Sequence, residues 1–236
     1  MHAYKDSGKK LFQYITENKL KRGDRLPAET ELAEILGISR LTLREAMNAL
    51  KQEGIISAIQ GKGTFVTFDY RYMANFLNLN KSVTEMIEDS GYTCGTSLFL
   101  KKLVKAEKEV AGYLNLPEGS DVLVCERIRL ADKTPVVYSF DYLAPQLASR
   151  FLEITDVEIS LYSFVEEKCN IEIGQCMTEI IPVIAEEDLS EKLEVPVNTP
   201  LLKFLVRVQD IYGNPIIYAL EYLRADKFKF IANRRR

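Results

Sequence analysis

GDRLPAETELAEILGISRLTLREAMNALKQEGIISAIQGKGTFV, residues Gly23–Val66, describes two short helices joined by a tight turn, then a hairpin with a Gly-Lys-Gly tip. The first of these helices is expected to start near Pro27, where a missing N–H costs nothing, with Glu29 and Glu31 in its favourable first turn. Leu32, Ile35 and Leu36 are read as its inward face and Gly37 as its end. Ser39 can cap the next helix, whose inward stripe is Leu43, Ala46, Met47 and Leu50 at helical spacing. After Gly54, Ile55–Ile59 and Thr64–Thr67 alternate as short strands around Gln60-Gly61-Lys62-Gly63. Upstream, Leu11, Phe12 and Ile15 share one face of a further helix that ends before the turn Arg22-Gly23-Asp24. One helix face and one basic loop are thus offered to an extended polyanion. The pattern is that of a winged helix-turn-helix, and double-stranded DNA is the expected partner.

Charge is distributed in a way that fits. The chain of 236 residues has a net charge of −3, but residues 1–70 carry +2 and the remainder −5. An acidic protein binds DNA only through a local basic surface, to which Lys19–Arg25 and Lys62 contribute. The outward face of the third helix holds Arg40, Leu41, Arg44, Glu45 and Asn48. Arg40 and Arg44 stand one turn apart near the N-terminal end, where a recognition helix meets base edges and phosphates. Taken alone, Arg40 and Arg44 would be expected in surface ion pairs, since Glu45 and Glu53 lie nearby; the flanking pattern favours DNA contact.

The same composition narrows the chemistry. His2 is the only histidine and lies at a terminus expected to fray, which removes histidine catalysis and histidine metal sites. Cys94, Cys125, Cys169 and Cys176 form no C-x-x-C pair and lie in apolar stretches, as buried thiols in a reducing compartment do. No metal, cofactor or catalytic residue is expected. No signal-peptide pattern and no apolar run of about 18 residues occur, so a soluble, cytoplasmic protein without a membrane partner is expected.

These residues resemble the GntR family of bacterial transcription regulators. The shared pattern is Leu26-Pro27-x-Glu29, Leu32-Ala33, Gly37-x-Ser39-Arg40-x-Thr42-x-Arg44, Leu50, Glu53-Gly54 and Gly61-x-Gly63-Thr64-Phe65-Val66. By this resemblance Ser39, Arg40, Thr42 and Arg44 touch DNA from the recognition helix, and Gln60, Gly61 and Lys62 from the wing. The chain departs at Thr30, where an arginine often holds the backbone, and at Leu41, often polar or Met. Leu41 is able to pack on a thymine methyl.

Residues 69–81 read as a linker between a domain at 1–68 and another at 82–236. In the second, helices are expected near 84–90, 107–114, 146–152, 160–168 and 186–193. Strands are expected at 93–104, 121–131, 134–143, 171–184, 199–212 and 215–224, with turns at Asp132-Lys133 and Tyr212–Pro215. Long hairpins with inserted helices make an α+β domain on a mainly antiparallel sheet. This half resembles the UTRA domain of the HutC-like branch of the GntR family, whose fold is chorismate lyase-like. The residues that carry the resemblance run in order from Leu114-x-Leu116-Pro117-x-Gly119, Arg127-x-Arg129-x-Ala131-Asp132, Pro135 and Tyr142-Leu143 through Ser160-Leu161-Tyr162. They continue with Pro200-Leu201-Leu202, Pro215, Tyr218, Tyr222, Arg224, Asp226 and Phe228-x-Phe230.

Arg127 and Arg129 are two apart on one strand, so both guanidinium groups project from one face. Either carboxylates near Glu126, Asp132 or Asp141 answer them on a solvated sheet face, or they clamp a phosphate or carboxylate. Ser160, at a helix start, and Ser82-Val83-Thr84-Glu85 offer further anion-binding groups. In related receptors matching positions hold an effector's anionic group, which makes Thr84, Arg127, Arg129, Ser160 and Tyr162 the expected effector residues. Sugar-binding relatives often carry glutamates where this chain has Ser139 and Ile217, so an amino-sugar phosphate is less expected than a small phosphorylated metabolite such as a sugar phosphate; Tyr138 or Glu221 could compensate.

The expected function is a homodimeric repressor whose operator binding a small anionic metabolite controls. Two other classes stay open: an enzyme of chorismate lyase-like fold using carboxylates among Glu179, Glu221 and Asp141, and a ligand-free architectural DNA binder.

Overall fold

The computed structural model describes residues 2–18, 20–67, 73–76 and 80–231; the side chains of 2–7, 9, 16, 52, 53, 73–76 and 231 are not described. It divides into two compact units. One comprises 1–79 with 89–91 and 229–236, the other 80–88 with 92–228.

The first unit contains α1 (His2–Glu17), α2 (Glu29–Leu36), α3 (Arg40–Glu53), β1 (Ile56–Ile59) and β2 (Gly63–Val66). His2 is the first residue of α1 rather than part of a frayed end. Pro27 lies outside α2, which starts two residues later behind Ala28. Leu11, Ile15, Leu32, Ala33, Leu43, Ala46, Met47, Leu50, Ile56 and Val66 build one core. Ile35 is a correction to the expected inward face: it is 51 % exposed, because Leu32, Ala33 and Leu36 already fill the stripe that the short α2 turns inward. Gly37 and Gly54 end α2 and α3 in the left-handed region that glycine adopts without strain.

The hairpin has a third member that the sequence reading does not contain. Gly23 N–H donates to Val66 O, Val66 N–H to Asp24 O, and Leu26 N–H to Thr64 O, each at 2.8 Å. The turn after α1 is thereby stitched along β2. Part of the expected linker is also a strand, β3 (Met73–Phe76), paired with β10 (Phe228–Ile231). Lys19, 68–72 and 77–79 lie outside the described residues.

The second unit runs α4 (Val83–Glu88), β4 (Cys94–Lys105), α5 (Lys108–Tyr113), β5 (Asp121–Ala131), β6 (Thr134–Leu143), α6 (Pro145–Leu152) and α7 (Leu161–Ser163). It continues with a π-helical turn at Phe164–Lys168, β7 (Ile173–Ile184), α8 (Glu187–Leu193), β8 (Pro200–Asp210) and β9 (Pro215–Arg224). Six strands form one sheet in the order β4-β5-β6-β9-β8-β7, every neighbour antiparallel. The protein is α+β. Alternation along the strands gives the sheet two faces. On one, Val110, Ala111 and Leu114 from and after α5 pack with Val122 and Tyr218. Leu193 of α8 joins Ile128, Tyr138 and Leu201 on the same face. On the other, Phe151 of α6 meets Phe99 of β4 and Phe164 of the π-helical turn, with ring centroids 6.2 and 4.9 Å away. Lys101 Nζ closes the end of α6 by donating to the carbonyls of Phe151, Leu152 and Ile154. Arg127 and Arg129 project from this second face, which α4, α6 and α7 cover.

Candidate functional site

The face beneath α4 and α7 collects most of the buried charge in the second unit. Register sets Arg127 of β5 opposite Ser139 of β6, and Ser139 opposite Glu221 of β9, so the three side chains stand in a row. Asp141, two residues along β6, accepts from Arg127 Nε at 3.2 Å and Nη2 at 2.9 Å, and from Ser139 Oγ at 3.2 Å. Arg127 Nη1 donates to Ile159 O at 3.3 Å, which ties the strand to the residue preceding Ser160. Burial alone would pull the Arg127 guanidinium down, but Asp141 outweighs it and holds the pKa above its ordinary value. Arg127 thus pairs with a carboxylate of the protein itself.

Arg129 stands differently. It is 1 % exposed, and among the described residues no acidic oxygen lies within 4.0 Å of it. Nη1 donates to Thr96 Oγ1 at 2.8 Å, and Nη2 donates to Thr84 Oγ1 and Cys94 Sγ, both at 2.9 Å. Thr96 in turn lies 3.1 Å from Glu158 Oε2, so a carboxylate reaches the guanidinium only at one remove. Nε is buried without an acceptor. A full charge with an idle donor is costly in a protein interior unless something completes it.

Thr84 thus meets Arg129. Ser160 caps α7 by accepting from Ser163 N–H at 3.4 Å, and Tyr162 donates to Asn80 Oδ1 at 2.9 Å and lies 3.7 Å from Cys176 Sγ. Burial, then Cys176, pushes the Tyr162 phenol well above its ordinary range, and Glu221 lies nearby. Cys94 and Cys176 are corrections: both are half-buried and hydrogen-bonded to polar groups of this face, whereas Cys125 and Cys169 are buried as expected. Asp141 and Glu221 are buried rather than surface charges, while Glu179 sits on the opposite face, paired with Arg207. Ile217 is fully enclosed.

In the first unit Ser39 Oγ accepts from Thr42 N–H at 3.1 Å and shares a 2.8 Å hydrogen bond with Thr42 Oγ1, fixing the start of α3. Arg44 does pair in the free protein, but with Glu29 of α2: Nε donates to its carboxylate at 2.8 Å, across an exposed gap. Arg40 is exposed and makes no hydrogen bond among the described residues; Leu41 beside it is 70 % exposed. Gln60, Gly61 and Lys62 form the exposed tip between β1 and β2. Gly63 has φ +113°, and a Cβ there would meet Arg25 Nε at 2.7 Å, so the arginine lies against the hairpin base.

A helix-turn-helix with a hairpin wing and a helix-covered antiparallel sheet is the combination that two family profiles describe. That of bacterial regulatory proteins of the gntR family matches residues 3–66 and that of the UTRA domain matches 89–229, more than half the chain. The chain belongs to the GntR family, in its UTRA-bearing branch, and is a DNA-binding transcriptional regulator. The HTH-type transcriptional repressor NagR of Bacillus subtilis (strain 168) is 28 % identical over 217 residues, spanning 92 % of this chain and 88 % of the relative. The mannosyl-D-glycerate transport/metabolism system repressor MngR of Escherichia coli (strain K12) is 27 % identical over 229 residues, spanning 96 % and 93 %. Among solved structures, the possible transcriptional regulator YydK from Bacillus subtilis superposes with a TM-score of 0.70 at 22 % identity over the whole of both chains. PhnF from Mycobacterium smegmatis gives 0.63 at 23 %, over 96 % of this chain and 98 % of that one. These two likenesses concern the fold. Among the described residues no helix is long and apolar enough to cross a membrane.

Proposed function

We propose that this regulator is a repressor whose hold on its operator is controlled by a small anionic metabolite, of the size of a sugar phosphate, bound beneath α4 and α7. The observation that carries this reading is Arg129: enclosed, without a carboxylate at contact distance, and with Nε unanswered. An anion lying against Nε, with the hydroxyls of Thr84 and Thr96 close by, would complete it, and Ser160 and Tyr162 overlie the same face. Arg127 would position the site through Asp141 and Ile159 rather than supply a second free charge. On the operator side, Ser39, Arg40, Thr42 and Arg44 would read DNA from α3, and Gln60, Gly61 and Lys62 from the hairpin, with Glu29 releasing Arg44 on contact. A homodimer would match a two-fold operator. Both edge strands of the sheet, β4 with Leu100 and Leu103 and β7 with Met177 and Ile184, carry exposed apolar side chains able to serve such an interface.

Control requires that the metabolite bind the DNA-competent and DNA-incompetent states unequally. A thermal-shift screen of phosphorylated metabolites, with hits retested for operator release, checks this. At least one should raise the melting temperature of the wild type and release DNA, and Arg129→Met should abolish both responses. If every hit acts equally on Arg129→Met, the site lies elsewhere; if none acts on the wild type, the architectural alternative takes over.

A further inference from the structure

Seven polar or charged residues of the described chain are buried: Ser82, Glu126, Arg127, Arg129, Ser139, Asp141 and Glu221. Five are internally answered. Ser82 and Glu85 cap α4 reciprocally, with Glu85 Oε2 accepting from Ser82 N–H at 2.9 Å. Glu126 takes Lys102 and the Tyr138 hydroxyl on the opposite face, and Arg127, Ser139 and Asp141 answer one another. Two are unfinished: Arg129, whose Nε is buried without an acceptor, and Glu221, which is 9 % exposed and to whose carboxyl no described residue donates a hydrogen bond. Both stand on the same face of the sheet.

Register gives their separation. Arg129 lies across from Val137, which lies across from Leu223, and Glu221 is two residues back along β9. Two strand spacings of about 4.8 Å and two residues of about 3.4 Å put the Cα atoms roughly 12 Å apart. The Arg129 guanidinium bonds to Thr96 and Cys94 on β4 and to Thr84 on α4, so a ligand that met both its Nε and the Glu221 carboxyl would have to span roughly that separation along the face. We propose that Glu221 is a specificity-determining residue of the effector site, hydrogen-bonding a hydroxyl of the ligand's carbon skeleton at the end remote from its anionic group. This rests on the reading that an anion completes Arg129.

The form of Glu221 at neutral pH fits the role. Burial first, and the neighbouring Asp141 second, push its pKa up to about 8 against the pull of Arg127. It is then an un-ionised acid, able both to donate to and accept from one hydroxyl, and it adds no negative charge to a site that receives an anion. The other groups that face it do not supply a competing cation. Arg127 on β5 is held by Asp141 on β6; Cys125 on β5 is a neutral thiol, its pKa pushed by burial to about 12; Tyr162 of α7 and Cys176 of β7 stay protonated; Phe204 is its cross-strand neighbour on β8; and Glu85 of α4 acts on Tyr162.

Calorimetric titration of the full chain with inorganic phosphate, glycerol 3-phosphate, D-glucose 6-phosphate and D-glucosamine 6-phosphate, at pH 6.5 and 9, tests the assignment on wild type, Glu221→Gln, Glu221→Ala and Arg129→Met. Phosphate should bind wild type and both Glu221 variants alike at pH 6.5. At least one hydroxylated phosphate should bind wild type tenfold or more tighter than phosphate does. Glu221→Gln should keep that gain at both pH values, wild type should lose most of it at pH 9, and Glu221→Ala should lack it throughout. The inference is overturned if Glu221→Ala keeps the gain, or if no hydroxylated phosphate exceeds phosphate on wild type. It is overturned equally if Glu221→Gln loses the gain while D-glucosamine 6-phosphate outbinds the hydroxyl compound, since Glu221 would then be an ionised partner for an ammonium. Phosphate that ignores wild type, or binds Arg129→Met unchanged, sinks the anion reading itself and takes this inference with it.

Discussion

Glu221 makes the stability of the second unit fall with rising pH, and the size of the effect follows from its surroundings. An unfolded chain ionises this carboxyl near its ordinary 4.5, whereas the fold retains the proton to about 8. Between those values the unfolded state binds fewer protons than the folded state, so unfolding becomes progressively easier as pH rises. At about 1.4 kcal/mol per pH unit, the loss reaches about 3 kcal/mol at pH 7 and levels off above pH 8. Glu221→Gln keeps the shape of the side chain and removes the titration. The stability difference between Glu221→Gln and wild type should therefore grow by about 4 kcal/mol from pH 5 to pH 9, in favour of the variant. Urea unfolding followed by far-UV circular dichroism across that range measures it. Asp141→Asn should move the whole window to lower pH, because Arg127, released from Asp141, becomes free to pair with Glu221. A difference that stays flat between pH 5 and 9, within about 0.5 kcal/mol, refutes the premise that Glu221 is held un-ionised, since ordinary surface substitutions vary by that much.

Arg44→Ala should weaken operator binding about tenfold or more at about 0.15 M salt while leaving the melting temperature nearly unchanged, as the lost Glu29 pair is exposed; unchanged affinity in a mobility-shift titration contradicts its place at the DNA. Gly63→Ala forces a side chain to φ +113° against Arg25 and should destabilise the hairpin by about 1–3 kcal/mol, read as a lower melting temperature and weaker DNA binding together. Arg129→Met removes a buried charge without a contacting carboxylate, so the folded protein should survive with a melting temperature near that of wild type, while phosphate no longer raises it. Leu41→Gln should alter which operator bases are preferred more than overall affinity, as measured by selection from a randomised site.

Much of this architecture is legible before any coordinates. β5, β6 and β9 occupy the residues expected of them, because each run is bounded by turn formers that strands cannot absorb: Asp132 turns at positive φ, and Asp210 accepts from the amides of Tyr212 and Asn214. Ser39 is a cap because its neighbours leave α3 nowhere else to begin. What is illegible depends on register. That Arg127 meets Asp141 rather than Asp132, and that Glu221 lands in the row of Ser139 and Arg127, requires knowing which residues of β5, β6 and β9 stand opposite one another. Local spacing does not contain that information. The thiols mislead for the same reason: Cys94 and Cys176 lie in apolar stretches of chain yet turn toward Arg129 and Tyr162. Leu41 is the opposite case, a large apolar side chain whose exposure is predictable from the helical stripe that excludes it.

The strip of backbone hydrogen bonds from Gly23, Asp24 and Leu26 to β2 has a mechanical meaning. It welds the tip-bearing hairpin to the segment that leads directly into α2, and α2 packs on α3 in the same core. Helix and hairpin therefore share one rigid frame and have no independent adjustment between them. A signal reaching this reader is able to displace or release it as a block, but not to loosen the hairpin while the helix keeps its grip. Graded repression would then have to come from the fraction of time the block is docked, and single-molecule records of operator occupancy should display two levels with no partly engaged third.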